Sequence, residues 1–250
     1  MKQAMIFAAG LGTRLKPITD HIPKALVEVG GKPLLEHVLL RMRDAGFEHI
    51  VINLHHKADQ IVDFLHAKGN FGLDIQLSDE RAQLLDTGGG IRHAIPLFDS
   101  NLPILIHNVD ILSNVDLSNF YEQGTQHDAT LLVSQRKTQR YLLFNHDNRL
   151  EGWTNIATGE VKTPYRQLSV ADSAHYAFAG IHLISPSLLP LLRNEQRTAF
   201  GIIDFYLAQC AHFDISAHIE QGLKLLDVGK PETLPQAQAF LQAMQEPADE

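Results

Sequence analysis

The first 110 residues alternate between short apolar runs and segments whose apolar residues recur at helical spacing. The apolar runs predict strands at 3–8, 49–54, 73–78 and 102–110, and the periodic segments predict helices from Pro33 to Gly46, at 58–69 and at 89–98. An alternation of this kind builds a mostly parallel, mixed sheet with helices on both faces. The sequence therefore predicts an α/β fold with a three-layer α/β/α architecture. In such sheets, ligands bind beyond the carboxyl ends of the strands.

The pattern is looser after about residue 128, although strands and helices can still be predicted. The segment NHDNR, rich in turn-forming residues, predicts a tight turn between two strands. The final residues, EPADE, are expected to form a frayed tail. Strands are predicted at 129–134, 140–145, 150–155 and 175–185, helices at 187–193 and 202–211, a strand pair near 214–226, and a last helix after Pro231.

Charge and cysteine content narrow the possible partners. The formal net charge of −8 is not that of a nucleic-acid-binding protein, although a few placed cations can still bind a small anion. The single cysteine, Cys210, excludes an intrachain disulfide and fits a reducing compartment. The N-terminal apolar run is too short for a signal peptide, and no run approaches the length of a membrane helix. We expect a soluble, cytoplasmic protein with no nucleic-acid or membrane partner.

The loop after the first predicted strand, AAGLGTR, has the composition of a phosphate cradle. Gly10 and Gly12 permit a close approach of backbone N–H groups to an anion, and Thr13 adds a hydroxyl. Arg14 can grip two phosphate oxygens at once. The loop is neither a Walker A motif nor a complete G-x-G-x-x-G motif, so on glycine spacing alone a plain loop remains the alternative.

Lys24 follows this loop directly after Pro23, the second of two prolines that stiffen the backbone. A rigid approach lowers the entropy that Lys24 would lose on holding an anion. The alternative is an ordinary surface lysine, the usual environment of this residue type.

The segment AAGLGTRLKPIT, followed by PKAL and GKPLLEH, resembles the signature of the nucleoside-triphosphate transferases that act on sugar 1-phosphates. Their pattern is close to G-x-G-T-R-L-x-P-x-T, then P-K-x-L. The resemblance implies a Rossmann-like nucleotidyltransferase fold. It also implies an enzyme that joins a nucleoside monophosphate to a sugar phosphate and releases pyrophosphate, with Mg²⁺ as its cofactor.

The resemblance further implies roles for individual residues. Arg14, Lys24 and Asp110 would be catalytic, and Asp110 and Asp227 would bind the Mg²⁺ ion. The nucleotide would contact Ala8, Ala9, Gly10, Gly12, Thr13, Arg14, Thr87, Gly88, Gly89 and Asn108.

Three positions leave alternatives open. The glycines of DTGGGI (86–91), matched to the segment that borders the base and ribose, could simply begin a helix. Asp227, together with Gly229, could form only a turn before the last helix. Val109 stands where the family commonly has glycine, and its side chain could crowd the nucleotide or alter the strand.

For the sugar 1-phosphate, the resemblance implies Gly180 and Lys162, and Asp204 lies on a predicted helix from which it could reach a sugar hydroxyl. Gly180 lies in FAGIHLISP, which resembles the family's sugar-side strand, where glycine leaves room for a ring. Lys162 is matched to an E-K-P motif that Val161 interrupts, and Asp204 could instead cap a helix or face water. We expect a single nucleotidyltransferase domain over 1–250, with a nucleotide-binding half at 1–128, a sugar-phosphate-binding half at 129–230 and a C-terminal helix at 231–245.

The compact chain with its LLDTGGGI segment looks most like the N-acetylmuramate 1-phosphate uridylyltransferases of bacterial cell-wall recycling. UTP is therefore the favoured nucleotide, with GTP and CTP as alternatives, and mannose-1-phosphate guanylyltransferases are the second resemblance. An alternative of another class is a protein that binds a nucleotide or sugar phosphate without turnover. Retention of both cations and both acids argues against that alternative.

Overall fold

The structure, a computed structural model, describes residues 1–245, so the frayed tail expected at 246–250 lies outside the described residues. The chain divides into two compact units. Unit 1 comprises Met1–Leu84, His107–Leu117 and the residues from Leu223 onward, and unit 2 comprises Leu85–Ile106 and Ser118–Gly222. The units are interleaved in sequence and do not coincide with the predicted halves. Binding of the nucleotide by residues 1–128 and of the sugar phosphate by residues 129–230 stays a prediction.

The helices and strands follow one another in an order close to the predicted one. The first part of the chain contains β1 (Lys2–Phe7), β2 (Glu28–Val29), β3 (Lys32–Pro33), α1 (Leu34–Asp44), β4 (Phe47–Leu54), α2 (Ala58–Ala67), β5 (Asp74–Asp79), α3 (Asp86–Ala94), β6 (Ile104–Asn108) and β7 (Ile111–Ser113). The second part contains α4 (Leu117–Gly124), β8 (Ala129–Ser134), β9 (Arg140–Phe144), β10 (Leu150–Asn155), β11 (Glu160–Lys162), β12 (Ala174–Ile184), α5 (Leu189–Asn194), α6 (Ile202–Gln209), β13 (Ile215–Ile219), β14 (Leu225–Asp227) and α7 (Leu234–Gln245). Among the described residues, no helix combines the length and apolar character that crossing a bilayer requires.

Unit 1 contains three parallel strands of the sheet. β1 pairs with β4 and β4 pairs with β5, both in parallel. The central residues of β1 are buried, as is the apolar face of α1, which matches the predicted positions. Gly46 follows α1 at a φ of +81°, a left-handed conformation that favours glycine and ends the helix where predicted.

Unit 2 contains mostly antiparallel pairs. Its strand order is β11-β10-β9-β12, and β8 pairs with both β12 and β13. The turn predicted between β9 and β10 is present, with Asn148 at a φ of +60°. Unit 2 also contains one parallel pair, β8 with β13. The predicted α/β class with a mixed sheet is therefore confirmed.

Two predictions about the elements need correction. The strand pair predicted near 214–226 is wrong, because the two strands exist but do not pair with each other. β13 pairs with β8 in unit 2, whereas β14 pairs with β7 in unit 1. The helix predicted at 89–98 begins earlier, at Asp86, because glycines 88–90 lie inside α3 rather than before it.

Candidate active site

The loop after β1 is held by a buried asparagine. The N–H groups of Ala8 and Ala9 both donate to Asn53 Oδ1, at 2.8 and 3.2 Å. Asn53 in turn donates to Glu80 Oε1 at 2.8 Å, and both side chains are buried. Asn53 is the penultimate residue of the apolar run HIVINL on β4, and a polar residue near a strand's carboxyl end was the signal in the sequence that could have identified it. Because their N–H groups are engaged, Ala8 and Ala9 keep only their carbonyl oxygens for a ligand, and their binding role stays a prediction.

The two glycines of the loop differ in their surroundings. Gly12 has a φ of +64°, and a Cβ there would lie 2.8 Å from Thr19 Cγ2. Thr19 is buried and donates its hydroxyl to Gly12 O at 2.8 Å. Gly10 is exposed, and a Cβ there would meet nothing within 4 Å, so the backbone at Gly10 faces open space. The backbone conformation of Gly12 and its close contact with Thr19 explain why this residue is glycine, whereas Gly10 is accessible to a ligand.

Thr13 and Arg14 lie in a one-turn 3-10 helix, Thr13–Leu15, which the fully buried Leu15 anchors to the core. Both side chains are exposed. The Arg14 guanidinium extends to Gly229, where a Cβ would lie 2.5 Å from Arg14 Nη2. The same hypothetical Cβ would lie 2.6 Å from Asp227 Oδ1, so Arg14 and Asp227 meet at this glycine. Gly229 was not predicted as a site residue, since its role depends on a contact with a distant loop.

Lys24 begins a second 3-10 turn, Lys24–Leu26, immediately after the buried Pro23. Its ammonium group forms an ion pair and hydrogen bond with Asp110 Oδ2, and each side chain is only 13% exposed. Lys24 is therefore not the free surface lysine of the alternative interpretation.

Asp110 and Asp227 lie on neighbouring backbones. β7 and β14 are antiparallel, with Asp227 opposite Ile111, the residue after Asp110. The N–H of Val228 donates to Asp110 O at 2.8 Å. Unit 1 thus brings together all four charged residues that the resemblance singled out, at the carboxyl ends of β1 and β6. Their roles in binding and catalysis stay predictions.

The carboxylate groups of Asp110 and Asp227 are suitable ligands for Mg²⁺. Carboxylate oxygens are hard ligands, and Mg²⁺ is commonly bound by one or two carboxylates plus substrate phosphates rather than by an all-protein cage. Residues 1–245 contain no group of three or more His, Cys, Asp or Glu side chains arranged to hold a metal ion by themselves. Binding of Mg²⁺ by Asp110 and Asp227 stays a prediction.

The residues before Asp110 are packed into the core. Val109 is buried, and its N–H donates to Phe7 O at 3.2 Å. His107 is buried and its Nδ1 lies 2.8 Å from Asn108 O. Burial lowers the pKa of His107 to about 4, with a further contribution from the charge of Arg41. His107 is accordingly neutral near pH 7. Asn108 is partly exposed, and its nucleotide contact stays a prediction.

In unit 2, the glycines of α3 are covered by protein. The N–H groups of Gly88 and Gly89 donate to Phe200 O at 2.8 and 3.2 Å. A Cβ on Gly88 would lie 2.3 Å from Phe200 Cε2, and one on Gly89 would lie 2.7 Å from Thr198 O. Close packing against 198–200 therefore explains both glycines.

Thr87 has a hydrogen-bonding role at the start of α6. Its hydroxyl oxygen accepts from the N–H of Ile202, the first residue of that helix, at 2.9 Å. Nucleotide binding by Thr87, Gly88 and Gly89 stays a prediction.

A cavity of about 400 Å³ in unit 2 contains two of the predicted sugar-phosphate residues. Lys162 Nζ lies 3.0 Å from Asp204 Oδ1 and 5.2 Å from the ring centre of Trp153. Asp204 thus pairs with a cation rather than facing water alone. The cavity is lined by Thr87, Arg136, Thr138, Arg140, Leu142, Trp153, Lys162, Phe178, Gly201, Ile202, Ile203, Asp204 and Leu207.

Arg136, Arg140 and Trp153 were not predicted as site residues, although the basic segment SQRKTQR contains both arginines. Gly180 is the third residue predicted to bind the sugar phosphate, and its backbone conformation favours glycine. It has a φ of +78° inside β12, where the register with β8 shifts between Phe178 and His182. A contact between Gly180 and a sugar stays a prediction.

The sequence profile of the family described as nucleotidyl transferase matches residues 3–243. The chain belongs to the nucleotidyl transferase family. The resemblance seen in the N-terminal motifs is thereby confirmed, and the protein is a nucleotidyltransferase. Its fold is also that of the family: a putative glucose-1-phosphate thymidylyltransferase from Bacillus anthracis superimposes with a TM-score of 0.80 at 17% identity, covering 100% of this chain and 98% of that one. The Rossmann-like nucleotidyltransferase fold is confirmed.

Two relatives of this nucleotidyltransferase carry the same name. The chain is 49% identical over 111 residues to an N-acetylmuramate alpha-1-phosphate uridylyltransferase from Caulobacter vibrioides, covering 44% of the chain and 46% of that protein. It is 32% identical over 207 residues to the protein of that name from Neisseria meningitidis serogroup B, covering 78% of the chain and 85% of that protein. Mannose-1-phosphate guanyltransferases are also among the relatives, and the chain matches about half of the length of one from Pichia angusta. These relatives support sugar-1-phosphate nucleotidyltransferase activity.

Proposed function

We propose that this nucleotidyltransferase transfers a uridylyl group from UTP to N-acetylmuramate 1-phosphate in a Mg²⁺-dependent reaction. The convergence of Arg14, Lys24, Asp110 and Asp227 in unit 1 carries the proposal, because it places two cations and two acids at the edge where a triphosphate would bind. The names of the Caulobacter and Neisseria relatives support the choice of nucleotide and sugar. Such substrates and the single cysteine favour a cytoplasmic location.

The reaction is an in-line displacement at the α-phosphorus of UTP. An oxygen of the sugar 1-phosphate forms the new P–O bond, the bond between the α-phosphorus and the bridging oxygen breaks, and pyrophosphate leaves with its electron pair. The attacking phosphate is already ionised near pH 7, so no side chain has to remove a proton. This chemistry needs positioning and electrostatic stabilisation more than covalent help, which is consistent with a site made of charges.

Each charged residue has a defined task in this scheme. Arg14 and Lys24 offset the repulsion between two anionic substrates and stabilise the charge that develops on the transferred group. Lys24 exchanges its Asp110 partner for the phosphates when the nucleotide binds. Asp110 and Asp227 would hold the Mg²⁺ ion, whose chemistry is to neutralise phosphate charge and orient the triphosphate.

The test is release of pyrophosphate from each of the four nucleoside triphosphates with a panel of sugar 1-phosphates, with and without Mg²⁺. The expected result is turnover that is fastest with UTP and N-acetylmuramate 1-phosphate and that stops when Mg²⁺ is removed. Preference for GTP with mannose 1-phosphate would replace the proposal by the guanylyltransferase alternative. Tight triphosphate binding with no turnover for any acceptor would establish a binding protein instead.

A further inference from the structure

The cavity in unit 2 is strongly cationic in a protein whose formal net charge is −8. Its lining contains three cationic side chains, Arg136, Arg140 and Lys162, and a single carboxylate, Asp204. A local excess of positive charge in an acidic protein marks the binding of an anion, because the cations repel one another until a ligand compensates them.

One of the three cations is already engaged. Lys162 pairs with Asp204 and lies against the face of Trp153, so its ammonium group is fixed at the β10–β11 side of the cavity. A lysine is a compact point charge that suits a phosphate in any orientation. Lys162 is therefore placed to hold the phosphate of the acceptor.

The two arginines have most of their donors unused. The Arg136 guanidinium donates once, to Phe178 O at 3.1 Å, although a guanidinium has five N–H donors. Within residues 1–245, the Arg140 guanidinium has no hydrogen-bond or ion-pair partner. Both guanidinium groups are exposed at the cavity wall.

The strand register separates Arg140 from Lys162. Arg140 lies on β9 opposite Asn155 of β10, whereas Lys162 lies on β11 opposite Trp153 of β10. β10 runs between β9 and β11, and Trp153 and Asn155 lie two residues apart on it, so the backbones of Arg140 and Lys162 are separated by about 12 Å. That separation is large enough for a sugar ring to lie between two anionic groups.

We infer that Arg136 and Arg140 form an anion subsite that binds a carboxylate of the acceptor, so that the enzyme selects an acidic sugar 1-phosphate over a neutral one. A planar guanidinium matches a carboxylate in a bidentate geometry, which a point charge cannot do. N-acetylmuramate has this chemistry, since an ether substituent on its ring carries a carboxylate. The inference rests on the proposed function and adds the residues that distinguish this sugar from its neutral analogues.

Trp153 is the only tryptophan of the chain and lines this cavity, so its fluorescence reports occupancy without requiring turnover. The test compares the dissociation constant of N-acetylmuramate 1-phosphate with that of its methyl ester, which keeps the shape and phosphate but lacks the carboxylate charge. Each ligand is titrated into the wild-type protein and into the Arg136→Gln, Arg140→Gln and Lys137→Gln variants. Lys137 lies in the same basic segment, but its side chain is not part of the cavity lining.

Wild-type protein is expected to bind the acid about 10- to 100-fold more tightly than the ester, the range of hydrogen bonds to charged groups. Each arginine variant should reduce that ratio at least several-fold by weakening binding of the acid, and Lys137→Gln should leave the ratio unchanged. Equal affinity of wild-type protein for acid and ester would overturn the inference. So would arginine variants that weaken both ligands equally, because that result would assign the arginines to the phosphate.

The same titrations separate this inference from the proposed function. If the protein binds the acid more tightly than the ester but releases no pyrophosphate from any triphosphate, the anion subsite is supported and the proposed reaction is wrong. Pyrophosphate release at equal rates with acid and ester would do the opposite.

Discussion

Lys24 and Asp110 form an ion pair whose two side chains are each only 13% exposed. At this degree of burial, removing one partner leaves the other charge poorly compensated. The ion pair therefore holds two opposite charges close to the proposed phosphate site, and both are largely shielded from bulk water. Ligand binding can use this arrangement, because phosphates can replace the carboxylate as the partner of the lysine.

Replacing Lys24 by methionine, an unbranched and uncharged side chain one atom shorter, should lower kcat with UTP and N-acetylmuramate 1-phosphate about 10²- to 10³-fold. The reason is the loss of positive charge at the transferred group. The measurement is pyrophosphate release, with circular dichroism to verify the fold. Lys16→Met is the matched control, because Lys16 pairs with Asp20 on the surface and its side chain is 60% exposed. Similar small effects in both variants would remove Lys24 from the reaction.

Gly229 should be a positioning residue for Arg14. A Cβ at this position would lie 2.5 Å from Arg14 Nη2, so Gly229→Ala must displace the guanidinium or Asp227. We expect kcat/KM to fall about tenfold or more, as for a misplaced catalytic group. In an Arg14→Ala background, the added Gly229→Ala change should cost much less, because the displaced group is already gone. Fully additive effects in this cycle would contradict the assignment.

At the level of elements, α3 shows how a glycine cluster that suggests a ligand can also serve packing. Its buried glycines let the segment 198–200 approach the helix backbone, and two N–H groups of the helix donate to Phe200 O. Glycine inside a helix costs about 1 kcal/mol relative to alanine. This cost is offset by the contact with Phe200, which no larger residue would permit.

Gly88→Ala should therefore destabilise the protein despite alanine's better helix propensity. The new Cβ would lie 2.3 Å from Phe200 Cε2, and overpacking of this kind typically costs about 1–3 kcal/mol. Urea denaturation measures the change in the free energy of unfolding. Gly10→Ala is the control, because a Cβ at Gly10 meets no atom within 4 Å and stability should hardly change. A Gly88→Ala variant as stable as the wild type would show that the helix and Phe200 separate without cost.

Across the whole molecule, buried neutral histidines make stability depend on pH. Burial lowers the pKa of His182 to about 3 and the pKa of His107 to about 4, against an ordinary value of 6.5. His182 lies in unit 2, where its Nδ1 is 2.7 Å from the Tyr206 hydroxyl, and His107 lies in unit 1. Both take up a proton more readily when the chain is unfolded. Their contribution to stability is therefore complete above about pH 6.5 and is lost as the pH falls towards 4 and then 3.

The free energy of unfolding should accordingly fall as the pH is lowered from 7 to 5. Each buried histidine adds up to about 1.4 kcal/mol per pH unit to the slope in this range. His182→Gln should flatten the slope, whatever its effect on stability at pH 7. His146→Gln should leave the slope unchanged, because the His146 side chain is 89% exposed. Parallel curves for wild type and His182→Gln would show that His182 is not buried in its neutral form.

The sequence by itself was sufficient for the features that consecutive residues carry. β1, β4 and β6 are apolar runs, α1 presents its apolar residues at helical spacing, and the loop at Gly10 and Gly12 combines glycines with a following cation. Burial favours these patterns locally, whatever the rest of the chain does. The family and its charged residues were recognisable from the same short segments.

Only the tertiary structure decided which distant residues meet. The pairing of β13 with β8 and of β14 with β7 could not be inferred from chain order, because strand partners are chosen by packing across the molecule. The same is true of the hydrogen bond between Asn53 and the loop after β1 and of the contact between Gly229 and Arg14. A hydrogen bond or close contact between segments far apart in sequence leaves no periodic trace in either segment, so it becomes visible only once the strands are in register.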